Sequence, residues 1–258
     1  MDSPVAEAIL LMVAGIAMGF VNNLAGAGGL IGLAALDLVS GLGSATVANA
    51  SLRPAAVGVT VAGVFGFLSK GRTIPRRAWA WGLATVPGAV GGAYLVVGLP
   101  PWAYRGVLIA VVSLLIVQQL LPRKPRTEDR APVAQRSLVG TMVLFTLVGL
   151  HMGFLQVAAG LLSMLAIGHA LRDPKASADL VQVNTAKVAM LSVASITSTC
   201  CLATTGAIAW RPAVWLAVGA AIGSFAAGRW SVRKGHGAIR IVVLAVCALV
   251  LLRLFLTG

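Results

Sequence analysis

Two short segments set a cation one turn after an asparagine inside an apolar stretch: Asn49-Ala50-Ser51-Leu52-Arg53-Pro54 and Asn184-Thr185-Ala186-Lys187. A spacing of three or four residues is close to one helical turn, so amide and cation share a face. A charge at such depth costs about 2.5 to 3.5 kcal/mol at a helix centre unless it is paired or lines a wet cavity. The seven acidic residues, Asp2, Glu7, Asp37, Glu128, Asp129, Asp173 and Asp179, all lie at or near the ends of apolar segments. No carboxylate is available to neutralise Arg53 or Lys187, which makes an anionic ligand their expected partner. Snorkelling towards a membrane surface is the competing explanation, easier for Arg53, near the start of its segment, than for Lys187.

A second feature able to meet an anion is the run Asn22-Asn23-Leu24-Ala25-Gly26-Ala27-Gly28-Gly29, which separates two apolar segments. Glycines at this density weaken a helix and suit a break or a close approach. A half-helix starting near Gly28 directs free N–H groups and a positive dipole end into the interior. Close packing through small residues explains such glycines equally well. The corresponding run in the second half, Gln156-Val157-Ala158-Ala159-Gly160, keeps one amide and one glycine, with His151 about a turn before it.

The candidate binding set is therefore Arg53, Lys187, Asn49, Asn184, the amides of Asn22, Asn23 and Gln156, backbone N–H groups near Gly28 and Gly29, and His151. His151 and Glu7 are the candidates for proton coupling. Nothing recommends catalysis: HExxH, a clustered His/Asp/Glu set and a Ser/His/Asp constellation are all missing. The glycine-rich run also lacks the Lys-Ser/Thr of a phosphate-binding loop. Cys200, Cys201 and Cys247 sit in apolar segments without zinc spacing and read as packing residues, so neither metal nor other cofactor is expected.

The elements that must carry these residues are set by composition. Hydrophobic residues fill 59% of the 258 positions and charged residues 10%, too little polar surface to cover a soluble domain. Apolar stretches near the roughly 20 residues needed to span a bilayer run over 47–68, 78–98, 102–121, 177–203, 209–227 and 238–257. Their continuous apolar character predicts helices rather than the alternation of a barrel. The net charge of +13 comes from clusters between these stretches, which argues for cytoplasmic loops and against nucleic acid.

An internal repeat organises the chain. Gly15-x-x-Met18-Gly19-Phe20 recurs as Gly149-x-x-Met152-Gly153-Phe154, an offset of 134, and Arg53 falls opposite Lys187 at the same offset. At 135, Gly71 matches Gly206, Arg76 matches Arg211, Gly88 matches Gly223 and Arg105 matches Arg240. The predicted organisation is a first transmembrane repeat over 1–121, a basic cytoplasmic linker over 122–136 and a second repeat over 137–258. If the first apolar stretch of each repeat is a V-shaped pair of short half-helices that enters and returns, or crosses twice, 15 Lys and Arg face the cytoplasm, against Arg105, Arg211 and Arg253 outside. The predicted fold is thus an all-α integral membrane protein with two homologous halves in inverted repeat. Each half has a broken V-shaped helix pair followed by three transmembrane helices.

With those residues in view, the sequence resembles the TauE/SafE family of sulfite exporters and anion permeases. The resemblance runs from about Gly15 to Leu256. It is carried by Gly19-Phe-Val-Asn-Asn-Leu-Ala-Gly-Ala-Gly-Gly, Ala48-Asn-Ala-Ser-Leu-Arg53, Pro87-Gly-Ala-Val-Gly-Gly and Val183-Asn-Thr-Ala-Lys187. It implies a multi-spanning protein of the bacterial inner membrane that moves sulfite, a sulfonate, sulfoacetate or a related anion. The second half departs from the family in having Gln156 to Gly160 where members often carry a glycine-rich hinge. The expectation is a secondary transporter that alternates access by rocking one half against the other, with an anion channel as the alternative. Its partners are a small anion and the lipid bilayer, and a homodimer is compatible with the sequence.

Overall fold

The computed structural model describes residues 3–40, 42, 44–100, 102–104, 106–107, 110, 138–157, 159–171 and 179–234. The linker over 122–136, most of the predicted third span of each half, Arg105, Arg172, Lys175, Arg240, Arg253 and Cys247 lie outside the described residues. The described regular structure is helical: α1 (Pro4–Ala25), α2 (Gly29–Ser40), α3 (Ala45–Ser51), α4 (Arg53–Leu68), α5 (Arg76–Gly98), α6 (Leu138–Phe154), α7 (Ala159–Ala170), α8 (Leu180–Thr204) and α9 (Trp210–Lys234). Among the described residues, five stretches are long and apolar enough to cross a bilayer: Pro4–Ala25, Ala45–Leu68, Arg76–Gly98, Val181–Thr204 and Trp210–Val232. Val5, Val13, Leu83, Leu138, Val139 and Leu147 are exposed, an outer surface suited to lipid.

The first apolar stretch of each half is broken where its small and amide residues cluster. In the first half, α1 stops at Gly26, whose φ of 74° is left-handed and whose N–H caps the carbonyl of Asn22 at 2.9 Å. The short α2 then runs back along α1 until Ser40 Oγ donates to Glu7 Oε1 at 3.2 Å. The arms are unequal, a correction to the expectation of two short half-helices. Proline at the first turn and an unbroken apolar run carry α1 for 22 residues, whereas α2 has 12. In the second half α6 ends at Phe154 and α7 starts at Ala159.

The two hinges meet. A Cβ on Gly26 would fall on the backbone of Gly160, and one on Gly160 would fall on Gly26, its counterpart at an offset of 134. Around this point the helices of the two halves interleave. The most extensive contacts are α1 on α9 and α6 on α5, followed by α9 on α4 and α8 on α5, with α4 meeting α8 between them.

Backbone register gives the directions. Gly219 lies against Met12 and Gly223 against Ile16, so α1 and α9 are parallel. Gly88 against Thr146 and Gly92 against Leu150 make α5 and α6 parallel too. Gly58 beside Ala217 and Gly66 beside Phe225 align α4 with α9. Val188 sits beside Gly63, while Leu202 clusters with Ala50 at the other end, so α4 and α8 are antiparallel. One bundle is therefore α1, α4 and α9, and the other, running the opposite way, is α5, α6 and α8. Lys70, Arg72, Arg76, Arg77, Arg229, Arg233 and Lys234 fall at one end of this assembly, and Arg211 at the other.

Packing corrects one pairing in the repeat. The glycines that face the partner's first helix are Gly88 and Gly92 in α5, and Gly219 and Gly223 in α9, so Gly88 answers to Gly219 rather than Gly223. A slide of four residues keeps nearly the same helical face, which is why the sequence match at 135 is a turn out of step here. At the preceding turn the offset of 135 holds, since Gly71 and Gly206 have φ of 73° and 71°. Cys200 is exposed and Cys201 only partly buried, so neither lies in the interior.

Because a Cβ at Gly15, Gly19, Gly149 or Gly153 would fall on backbone of the neighbouring helix, valine at any of them should destabilise the fold by about 3 kcal/mol or more. Thermal unfolding of the detergent-solubilised protein should show this as a large drop in Tm. Gly98→Ala, at a site with nothing within 4 Å of the added atom, should leave Tm unchanged or raised.

Candidate functional site

Both central cations are dry. Arg53 is 0% exposed and Lys187 1%. Arg53, in the first turn of α4, reaches across to the end of α6. Its Nη1 donates to the Met152 carbonyl and to Gln156 Oε1 at 3.0 Å, and its Nη2 to the carbonyls of Gly153 at 2.8 Å and Phe154 at 3.2 Å. Lys187, in α8, does the same to the end of α1, with Nζ donating to the carbonyls of Asn22 at 3.2 Å and Asn23 at 2.7 Å. Each cation thus caps the broken helix of the opposite half, where four terminal carbonyls lack intrahelical partners and the dipole end is negative.

The asparagines reinforce the caps. Asn49 Nδ2 donates to the Phe154 carbonyl at 3.1 Å and its Oδ1 accepts from the Gln156 N–H at 3.4 Å. Asn184 Nδ2 donates to the Leu24 carbonyl at 3.5 Å. Amide and cation do share a face in both segments, and both members address the same helix end. Asn23 Nδ2 donates to the carbonyl and Oγ of Ser224, each at 2.9 Å, and Ser224 Oγ donates to the Val59 carbonyl at 2.6 Å. Asn22 contributes its backbone carbonyl. His151 Nε2 lies 3.1 Å from the Val157 carbonyl, spanning the break after α6.

Gly28 and Gly29 occupy the start of α2. A Cβ on Gly28 would meet the Met18 carbonyl and Asn22, so this glycine serves close packing. One on Gly29 would come within 3.2 Å of the Gln156 carbonyl, a tight but lesser contact. The starts of α2 and α7 therefore converge beside the two capped ends. Glu7 is held by Ser40 at the far end of α1, removed from the cations.

Electrostatics follow from this arrangement. A helix terminus carries roughly half an elementary charge. The negative ends of α1 and α6 and the positive starts of α2 and α7 offset one another, leaving two full cations. Among the described residues the carboxylates are peripheral: Glu7 in the first turn of α1, Asp37 near the end of α2, and Asp179 accepting from the N–H groups of Val181 and Gln182 ahead of α8. Several polar atoms nearby are buried without a partner, namely Arg53 Nε, Asn23 Oδ1 and Asn184 Oδ1. Sequence reasoning missed the helix ends as acceptors, and it missed Ser224. A groove of about 450 Å³ lies elsewhere, between α6 and α7, lined by Val143, Leu147 and Ala170 among others. It is open and contains none of the candidate residues, so its size says nothing about the central site.

Broken helices whose hinges meet within the bundle, with buried cations on their ends and an apolar exterior, define a multi-pass helical membrane protein. The family described as Sulfite exporter TauE/SafE matches residues 11–254, and the chain belongs to this family of membrane transporters. No curated protein and no solved structure matches it.

Arg53→Lys tests the cap directly. A lysine keeps the charge, but a single ammonium cannot reproduce a planar fork spread over three carbonyls and Gln156. Loss of about two charge-assisted bonds should lower stability by about 2 to 4 kcal/mol, read as a fall in Tm larger than that of Lys187→Arg.

Proposed function

We propose that the protein is a secondary transporter of a small organic or sulfur-containing anion, of the sulfite, sulfonate or sulfoacetate type, in a bacterial inner membrane. The observation that carries this reading is the pair of buried cations, Arg53 and Lys187, with no carboxylate beside them among the described residues. Carbonyls solvate a cation without neutralising it, so the centre keeps an excess positive potential that an anion would relieve. Membership of the TauE/SafE family supports the same class of cargo.

The opposed directions of the two bundles support an inverted repeat, and the clustering of basic residues at one end supports a cytoplasmic assignment for that end. In this reading the moving bodies are not the sequence halves, because α1 is packed on α9 and α6 on α5. They are the bundle of α1, α4 and α9 and the bundle of α5, α6 and α8, with α4 against α8 as the seam. Arg53 and Lys187 both cross that seam. An entering anion competes with the carbonyls for their N–H donors, so binding loosens the latch that holds the bundles together, which couples occupancy to rocking. An anion channel would use the same residues, but its flux would follow the electrochemical gradient without counterflow.

In proteoliposomes, sulfite or a sulfonate should show saturable counterflow that Arg53→Gln and Lys187→Gln each reduce by at least about a hundredfold, the scale of two lost charge-assisted bonds. Unsaturable leak would favour the channel, and transport unaffected by both substitutions in folded protein would sink the site assignment. For topology, single cysteines at Arg72 and Arg211 in a cysteine-free background should behave oppositely. The cysteine at 211 should react with an impermeant thiol reagent on intact cells, and that at 72 only after permeabilisation.

A further inference from the structure

Tyr104 follows α5 and was not among the residues singled out by sequence. It is 0% exposed, and its hydroxyl is buried without a hydrogen-bond partner. Its ring meets Phe154 edge-on, with centroids 5.9 Å apart and planes at 78°. Phe154 is the residue whose carbonyl accepts from both Arg53 Nη2 and Asn49 Nδ2. Tyr104 also packs in one cluster with Ala50 and Leu155, the chain neighbours of Asn49 and Gln156. The guanidinium of Arg53 has spent its four Nη contacts on the end of α6, and its Nε–H is also buried without a partner.

Two orphaned polar groups in one dry region are unusual, because buried donors are nearly always satisfied. Both can donate, and the neighbouring carbonyls of Met152, Gly153 and Phe154 are already engaged. An acceptor-rich anion satisfies them together. Resting on the transporter reading above, we propose that Tyr104 is a specificity-determining residue of the anion site: its O–H and the Nε–H of Arg53 receive oxygen of one small oxyanion headgroup. In the sequence, the offset of 135 sets Ile239, which brings no hydroxyl, opposite Tyr104. A site built around a hydroxyl donor discriminates by hydrogen bonding, which shape alone does poorly.

Tyr104→Phe keeps the ring on Phe154 and removes only the hydroxyl. Two readouts on the full chain in nanodiscs decide the matter: Tm without ligand, and calorimetric binding of sulfite and of sulfoacetate. The expected result is an unchanged or higher ligand-free Tm, since an orphan is removed, with affinity for one or both anions weakened about tenfold or more. In proteoliposome exchange KM should rise by the same factor while the maximal rate stays nearly constant. A lower ligand-free Tm or loss of folding would mean the hydroxyl has a structural partner, and the inference would fall. Wild-type affinity in Tyr104→Phe, with binding lost in Arg53→Gln, would remove Tyr104 from the site and leave the transporter reading intact. If wild type binds neither anion, both readings fall together.

Discussion

Inside a bilayer a broken helix and a buried cation are each intolerable alone. The broken helix leaves carbonyls with no water to meet them, and the cation has lost its hydration. Here each answers the other: Arg53 of α4 satisfies the end of α6, and Lys187 of α8 satisfies the end of α1. The rest of the architecture depends on that exchange. It lets two helices stop at mid-bundle, brings the starts of α2 and α7 to the same place, and ties the halves together across their seam. Asn23, through Ser224 to the Val59 carbonyl, extends the same logic into the bundle.

Close approach of backbones makes the exchange geometrically possible. The glycine pairs Gly15 and Gly19, Gly149 and Gly153, Gly88 and Gly92, and Gly219 and Gly223 line both sides of the α1–α9 and α5–α6 contacts. Lipid offers no hydrophobic drive for helices to associate, so contact area and fit must supply it. These parallel pairs join helices from different halves, so neither half packs as a separate body. Gly26 against Gly160 sets the point where the two hinges cross.

Much of this was legible in the sequence. The spans over 47–68, 78–98, 177–203 and 209–227, both breaks and the Asn/cation pairs are local features, written in apolar run length, glycine density and the spacing of 49 to 53 and 184 to 187. What the cations touch was not legible. Backbone carbonyls at a helix end carry no residue signature, so an argument from side chains alone sees an unpaired charge where the fold supplies a cap. The length of α1 was underestimated because the stretch was read as two short half-helices hinged at Asn22 to Gly29, whereas α1 runs unbroken to Ala25, with Gly15 and Gly19 packed on α9. Tyr104 escaped notice because a lone aromatic in an apolar setting reads as core, and only its unpartnered hydroxyl distinguishes it.

The two caps differ in chemistry. Arginine offers five donors in a fixed fork and lysine three on a flexible stem. Arg53 accordingly holds three carbonyls and Gln156 Oε1, while Lys187 holds two carbonyls. The unmet groups are opposite in kind as well: a donor, Arg53 Nε, near one helix end, and acceptors, Asn23 Oδ1 and Asn184 Oδ1, near the other. Two equal caps would offer an anion two equal seats and give the bundles no preferred order of release. In the transporter reading proposed above, unequal caps would let the donor-rich side attract the anion, while the lysine side, held by fewer bonds, would yield first. The order of events in a transport cycle would then follow from the difference between one arginine and one lysine at equivalent positions of a repeat.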